Sequence, residues 1–205
     1  MIEYGIFLIM FFCIAFVFNE GLWSACVLLI NVLLAGIIAT NFFEPVANWL
    51  EGMMPSFTYF WDFIALWLCF AIAIVVLRLI TGMLSKYRVR FKKPVDTAGG
   101  LFFAACVGWV MMQFTLFSLH LAPLSRNFLG FQEMPDTKMA LGLAPDRTWM
   151  SLMRTLSSGS LTRGSGENDT RHVFYPDNPD GNQEFILKYG TRRKQYEKET
   201  SMTVK

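Results

Sequence analysis

Lys92-Lys93-Pro94-Val95-Asp96-Thr97-Ala98-Gly99-Gly100-Leu101-Phe102-Phe103-Ala104-Ala105-Cys106-Val107-Gly108 is the stretch that decides the fold, because closely spaced bases, a lone carboxylate and regularly spaced small residues meet in it. Asp96 suits the start of a helix, where its carboxylate accepts from unpaired backbone N–H groups and faces the positive dipole end. Gly100, Ala104 and Gly108 then recur four residues apart, with Gly99 alongside. They leave one nearly flat stripe on which another helix backbone approaches closely. That makes Asp96, Gly100, Ala104 and Gly108 a candidate helix-packing seam, with a pore-lining stripe as the alternative.

The apolar run behind Asp96 continues to Ala122, and three more like it precede it. A helix rises ~1.5 Å per residue and the hydrocarbon layer is ~30 Å thick, so roughly 20 mainly apolar residues make one crossing. Four stretches qualify, about residues 2–18, 22–43, 59–84 and 97–122, the first of them short. Each can satisfy its own backbone in lipid as a helix. Composition agrees: of 205 residues 54% are hydrophobic and 17% charged, too apolar for an ordinary soluble domain. The first run lacks the basic start and small-residue cleavage pattern of a secretory signal and carries Glu3 instead. Trp23-Ser24-Ala25-Cys26 is equally poor as a lipoprotein signal, since the residues after Cys26 are as apolar as those before it.

Charge sets the direction. Ser85-Lys86-Tyr87-Arg88-Val89-Arg90-Phe91-Lys92-Lys93-Pro94 holds five positive charges, whereas residues 44–58 hold Glu44 and Glu51 and no base. The basic segment 85–94 is therefore expected on the cytoplasmic side, with both termini and the acidic connection outside. Within that connection, Glu44-Pro45 opens either a short interfacial helix reaching Met54 or an irregular loop. Tyr59, Phe60 and Trp61 follow as an aromatic collar.

Polar residues at bilayer depth are the candidate functional positions. Asn31, in the second run, needs a partner on a neighbouring helix. Arg78 lies two turns before Lys86 and can snorkel toward the headgroups or form a buried ion pair. Gln113 and His120 belong to the outer half of the fourth run, with His120 expected in solvent. A channel or transporter would require Asn31, Arg78 and Gln113 to face one aqueous path. Cys13, Cys26, Cys69 and Cys106 lie one per run at different depths, as small hydrophobes rather than a thiolate metal site. Neither a nucleophile–base arrangement, a phosphate-binding loop nor a CxxC motif is present, so no enzyme activity and no cofactor or metal are expected. A net charge of +2 points to no nucleic-acid partner.

The Asp96-to-Gly108 segment resembles the Asp-x3-Gly-x3-Gly-x3-Gly motif that opens the last span of the colicin V production protein family, again after a short basic loop. Asn19-Glu20-Gly21 is similar to that family's polar turn, without its usual Arg, and Arg78 with Thr81-Gly82 closes the third span in a similar place. Ala104 stands where the family has Gly. The resemblance covers about residues 1–123. It implies a bacterial inner-membrane protein linked to colicin V production or export and to envelope homeostasis, with no established catalytic residues.

After Pro123 the chain turns polar. Twelve of its 18 Lys+Arg and ten of its 16 Asp+Glu lie there. Trp149, Leu152, Met153 and Leu156 fall at helical spacing, which predicts an amphipathic helix on the membrane or on the bundle. Residues 157–168 read as a flexible linker, His172-Val-Phe-Tyr-Pro and Phe185-Ile-Leu-Lys-Tyr189 as two candidate short ordered pieces, and the Arg192-Arg193-Lys194 cluster with Lys198 as solvated in preference to touching anionic headgroups or a partner. His172 near Asp169 and Asp177 is too sparse for a metal site, and Asn168-Asp169-Thr170 matches a glycosylation sequon only formally.

The sequence thus predicts an all-α integral membrane protein: a four-helix transmembrane domain (1–122), a juxtamembrane segment with an amphipathic helix (123–156) and a flexible, largely irregular tail (157–205). The expected role is a non-enzymatic scaffold or accessory factor in the lipid bilayer, a homo-oligomer or a partner of other envelope proteins.

Overall fold

The computed structural model describes residues 2–54, 58–84, 91–123, 145–158 and 185–203. All regular structure among them is helical: α1 (Ile2–Val17), α2 (Gly21–Met53), α3 (Thr58–Leu84), α4 (Lys93–Leu121), α5 (Pro145–Ser158) and α6 (Phe185–Thr203). A 3₁₀ turn at Phe18–Glu20 joins α1 to α2. Three helical runs are long and apolar enough to cross a membrane, Phe7–Met53, Tyr59–Leu84 and Lys93–Leu121. The first two spans expected from the sequence thus fall within the first of these runs. The basic residues Lys86, Arg88 and Arg90, the linker before Asn168, the sequon and His172 lie outside the described residues.

The chain nevertheless reverses inside that first run. Gly21 adopts φ 80°, a left-handed region that costs a side-chain-bearing residue and costs glycine nothing. Along α4, Gly99 and Gly100 face Leu22 and Gly21, whereas Gly108 faces Met10 and Phe114 faces Gly36. Moving toward the C-terminus of α4 therefore means moving backward along α1 and forward along α2. The two helices run in opposite directions, both laid on α4, and α3 packs along α2.

The surface is apolar and the interior small or aromatic. Phe11, Phe12 and Phe16 on α1 and Ile72, Val75 and Leu79 on α3 are exposed, while Ala35, Ala39, Ala65 and Ala104 are buried where helices meet. In water such a surface would be an aggregation site. Toward hydrocarbon it is the favoured arrangement, and close backbone approach at small residues then supplies the cohesion. Phe70 stacks on Phe114 at 4.7 Å between ring centroids, with Trp67 edge-on to Phe114 at 5.4 Å.

Two expectations about element boundaries are corrected. Residues 44–54 form neither a separate short helix nor a loop: α2 continues through Pro45 to Met53. Phe43 and Ala47, on either side of that proline, are buried, and their packing carries the helix across the missing backbone donor. Residues 157–205 are not flexible throughout, because α5 reaches Ser158 and α6 occupies Phe185–Thr203. Both tail helices pack on the bundle, α5 on α4 and α6 on α3 and α4.

Candidate functional site

Asp96 sits in the first turn of α4, and the N–H of Leu22 donates to its Oδ1 at 3.0 Å. The carboxylate therefore caps the start of α2 rather than its own helix, a partner that sequence spacing alone does not reveal. A Cβ on Gly21 would stand 3.1 Å from Asp96 Oδ2, so the glycine makes room for the cap as well as for the reversal. Gly100 lies against the Gly21 backbone, Ala104 is fully buried, and Gly108 lies against the Met10 carbonyl. The four positions thus form one line of contact along α4, touching α2 at one end and α1 at the other.

Removing a capping side chain costs about 1 kcal/mol, up to ~2 in rigid sites. Asp96→Ala is expected to lower unfolding stability by that amount, and Asp96→Asn, which keeps an acceptor, by much less. Denaturant titration of the purified protein in detergent checks this; equal losses for the two variants would show that the charge, not the cap, matters.

Asn31 and Arg78 come together. Asn31 Nδ2 donates to Thr81 Oγ1 at 2.9 Å, and Thr81 donates in turn to the Leu77 carbonyl at 2.8 Å. Arg78 Nη2 reaches Glu20 Oε1 at 3.0 Å, an ion pair open to the surface rather than buried. The four residues share a cleft between α2 and α3 with Trp23, Ser24, Val27, Leu28 and Gly82, about 240 Å³ in volume. Gln113, half-buried on α4, is not among its lining residues. The structure thus brings two of the three intramembrane polar residues together and leaves the third apart.

His120 is 1% exposed, which corrects its expected place in solvent. The reason is α6: the carbonyl of the preceding Leu119 accepts from Arg193 Nη1 at 3.4 Å, so this end of α4 is covered. The basic cluster is corrected likewise. Arg192 pairs with the buried Asp62 of α3 and lies over the Tyr59 ring, 5.8 Å from its centroid, and Arg193 is buried, while Lys194 and Lys198 are exposed. Tyr196 packs against Tyr59 at 5.1 Å between centroids. Burial, with the Asp62 and Glu44 carboxylates adding to it, raises the Tyr189 phenol well above its ordinary value and keeps it protonated. Asp62 was the missed signal, a charge one turn into an apolar run with a basic cluster elsewhere to answer it.

Chemically, these sites are suited to holding helices together and to receiving a polar group. The four cysteines are free thiols on four different helices. Among the described residues no group of three or more His, Cys, Asp or Glu is placed to hold a metal ion. Comparison with curated proteins and with solved structures yields no match. The family model described as Colicin V production protein matches residues 2–141, which takes in α1 to α4 and the Asp96 seam. The chain belongs to the colicin V production protein family.

Proposed function

We propose that the chain is a four-crossing bacterial inner-membrane protein, with α1 to α4 each passing through the bilayer, that serves as a non-enzymatic scaffold or accessory factor. The observation that carries the reading is the opposed course of α1 and α2 along α4, fastened by the Asp96 cap and the Gly100/Ala104/Gly108 line. A hairpin of two crossings follows naturally from such a reversal, although α1 at 16 residues covers only ~24 Å and spans a locally thinned layer. The bases at 85–94 favour the cytoplasmic side, which puts the termini, α5 and α6 outside.

Within that frame the family supports a part in colicin V production, which the reading extends to export and envelope homeostasis. Partners are a second copy of the chain or other envelope proteins, held through the exposed apolar flanks of the bundle. The separation of Gln113 from the Asn31–Arg78 cleft argues for packing over a polar conduit. Reporters fused at Lys92 and Ser165 are expected on opposite faces, and the same face for both would overturn the four-crossing scheme. Crosslinking in the native membrane should capture discrete envelope partners or a second copy; a protein that remains monomeric and alone would overturn the scaffold role.

A further inference from the structure

The α2–α3 cleft carries an inference beyond the accessory role. Asn31 is 2% exposed and its Nδ2 is committed to Thr81, but its Oδ1 has no hydrogen-bond partner. A buried acceptor left bare is costly, so the cleft is shaped for an occupant that brings an N–H or O–H to it. One water takes ~30 Å³ of liquid volume, far less than the space available. At the mouth, Arg78 spends one donor on Glu20 and is 62% exposed, leaving a guanidinium fork open to an anion. Glu20 keeps a second carboxylate oxygen for a cation, and Trp23, Val27 and Leu28 give the cleft an apolar wall.

Its depth matches a headgroup. Thr81, which holds Asn31, lies within one turn of Leu84, where α3 ends, and the bases of residues 86–93 follow in the sequence. Basic residues gather where a bundle meets lipid headgroups. Ile30 and Leu79, next in the chain to the lining residues Asn31 and Arg78, are exposed and apolar and offer an acyl chain a surface.

We propose that this cleft binds a phosphoethanolamine group, the headgroup of an aminophospholipid, with phosphate on Arg78 and ammonium N–H groups toward Asn31 Oδ1 and Glu20. A choline headgroup has no N–H and leaves Asn31 Oδ1 bare. A glycerol headgroup offers hydroxyls but no positive charge to Glu20. The inference needs only that the bundle sits in a bilayer, so its failure leaves the accessory role untouched.

The test uses the full chain in nanodiscs holding equal phosphatidylethanolamine, phosphatidylcholine and phosphatidylglycerol, with retained lipid measured by native mass spectrometry. Retention of the ethanolamine lipid over the choline lipid by about tenfold is expected, the ratio that one charge-assisted hydrogen bond supplies. Asn31→Leu should bring the ratio near unity, whereas Arg78→Gln, which loses the phosphate contact common to all three lipids, should lower the retention of each and leave the ratio unchanged. Should Asn31→Leu fail to assemble, Glu20→Gln, which alters an exposed side chain assigned to the ammonium, carries the comparison and should likewise lower the ratio. Equal retention of the ethanolamine and choline lipids by the unaltered protein overturns the proposal, as does a preference that survives Asn31→Leu or, where that variant fails to assemble, Glu20→Gln. Saturable binding of free phosphoethanolamine to lipid-depleted protein, as tight as that of the lipid, supports the same recognition chemistry with a soluble source.

Discussion

Gly108→Leu is expected to separate α1 from the bundle at a cost of ~3 kcal/mol, the upper end of what overpacking exacts. A Cβ on Gly108 would stand 3.0 Å from the Met10 carbonyl oxygen and 3.1 Å from its Cγ. The first of these is backbone, so no rotamer change relieves it, and α1 as a whole must move. Few other side chains anchor α1: among its residues with described side chains, Val17 alone is buried, Ile9, Met10, Cys13 and Ile14 are half-buried, and Phe11, Phe12 and Phe16 face outward. Gly52 has nothing within 4 Å of its added Cβ, so Gly52→Leu serves as the control. Hydrogen exchange along α1 reads the contact, and unchanged protection of α1 in Gly108→Leu would refute the seam at this end.

Gly99, by contrast, is crowded by the end of a flexible side chain. Its added Cβ meets the Leu22 side chain, with Cδ1 at 2.1 Å, and leucine can turn away. Substitution there should cost less than at Gly108 despite the shorter distance, because backbone cannot yield where a side-chain tip can.

The parts legible in the sequence are those that a single helix carries within itself. Asp96 and the small residues behind it have a spacing of four that needs no knowledge of the partner, and the long apolar runs declare their own length. Gly21 was visible as a polar turn with glycine. What could not be read is which element answers which: Asp96 caps α2 because Gly21 folds the chain back onto α4. The same holds for Asp62 and Arg192, 130 positions apart and joined only when α6 docks. Pro45 misled for a local reason, since proline normally opens a helix, and only the burial of Phe43 and Ala47 keeps α2 intact.

The polar groups divide by end of the bundle. Glu20, Arg78, Asn31 and Thr81 gather where α3 closes, beside the basic segment, and they line an open cleft. Asp62, Tyr189, Arg192 and Arg193 gather at the opposite end of α3, where α6 covers them. An open polar site and a covered one thus cap the two ends of an apolar bundle. The Asn31–Thr81 bond contributes little by itself, since inter-helix hydrogen bonds in membranes average ~0.6 kcal/mol. The exposed Arg78–Glu20 pair adds about 0–1 kcal/mol more. Neither explains the cleft as a stability device, which is why an occupant is the better account of it.

Trp149→Ala is expected to release α5 from the bundle as a unit. The indole is fully buried: its ring lies where a Cβ on Gly36 would be, at 2.6 Å, and it packs edge-on to Phe114 at 5.6 Å between centroids. Its Nε1 donates to Thr40 Oγ1 at 3.3 Å. Truncating a buried tryptophan costs about 3–5 kcal/mol, and α5 is a 14-residue helix whose other fully buried side chains, among those described, are Pro145 at its first position and Met153. An isolated helix of that length is marginal in water, so losing the anchor also costs the helix. Hydrogen exchange across residues 145–158 should rise to the rate of an unstructured segment while α2 and α4 stay protected. Gly36→Leu must reproduce the effect from the opposite side, by filling the slot that the indole occupies. Thr40→Val removes the indole's hydrogen bond, worth ~1 kcal/mol, together with the hydroxyl's own bond to the Gly36 carbonyl at 2.8 Å, and should leave α5 docked. Protection of residues 145–158 in both Trp149→Ala and Gly36→Leu would mean that α5 is held by something other than this slot.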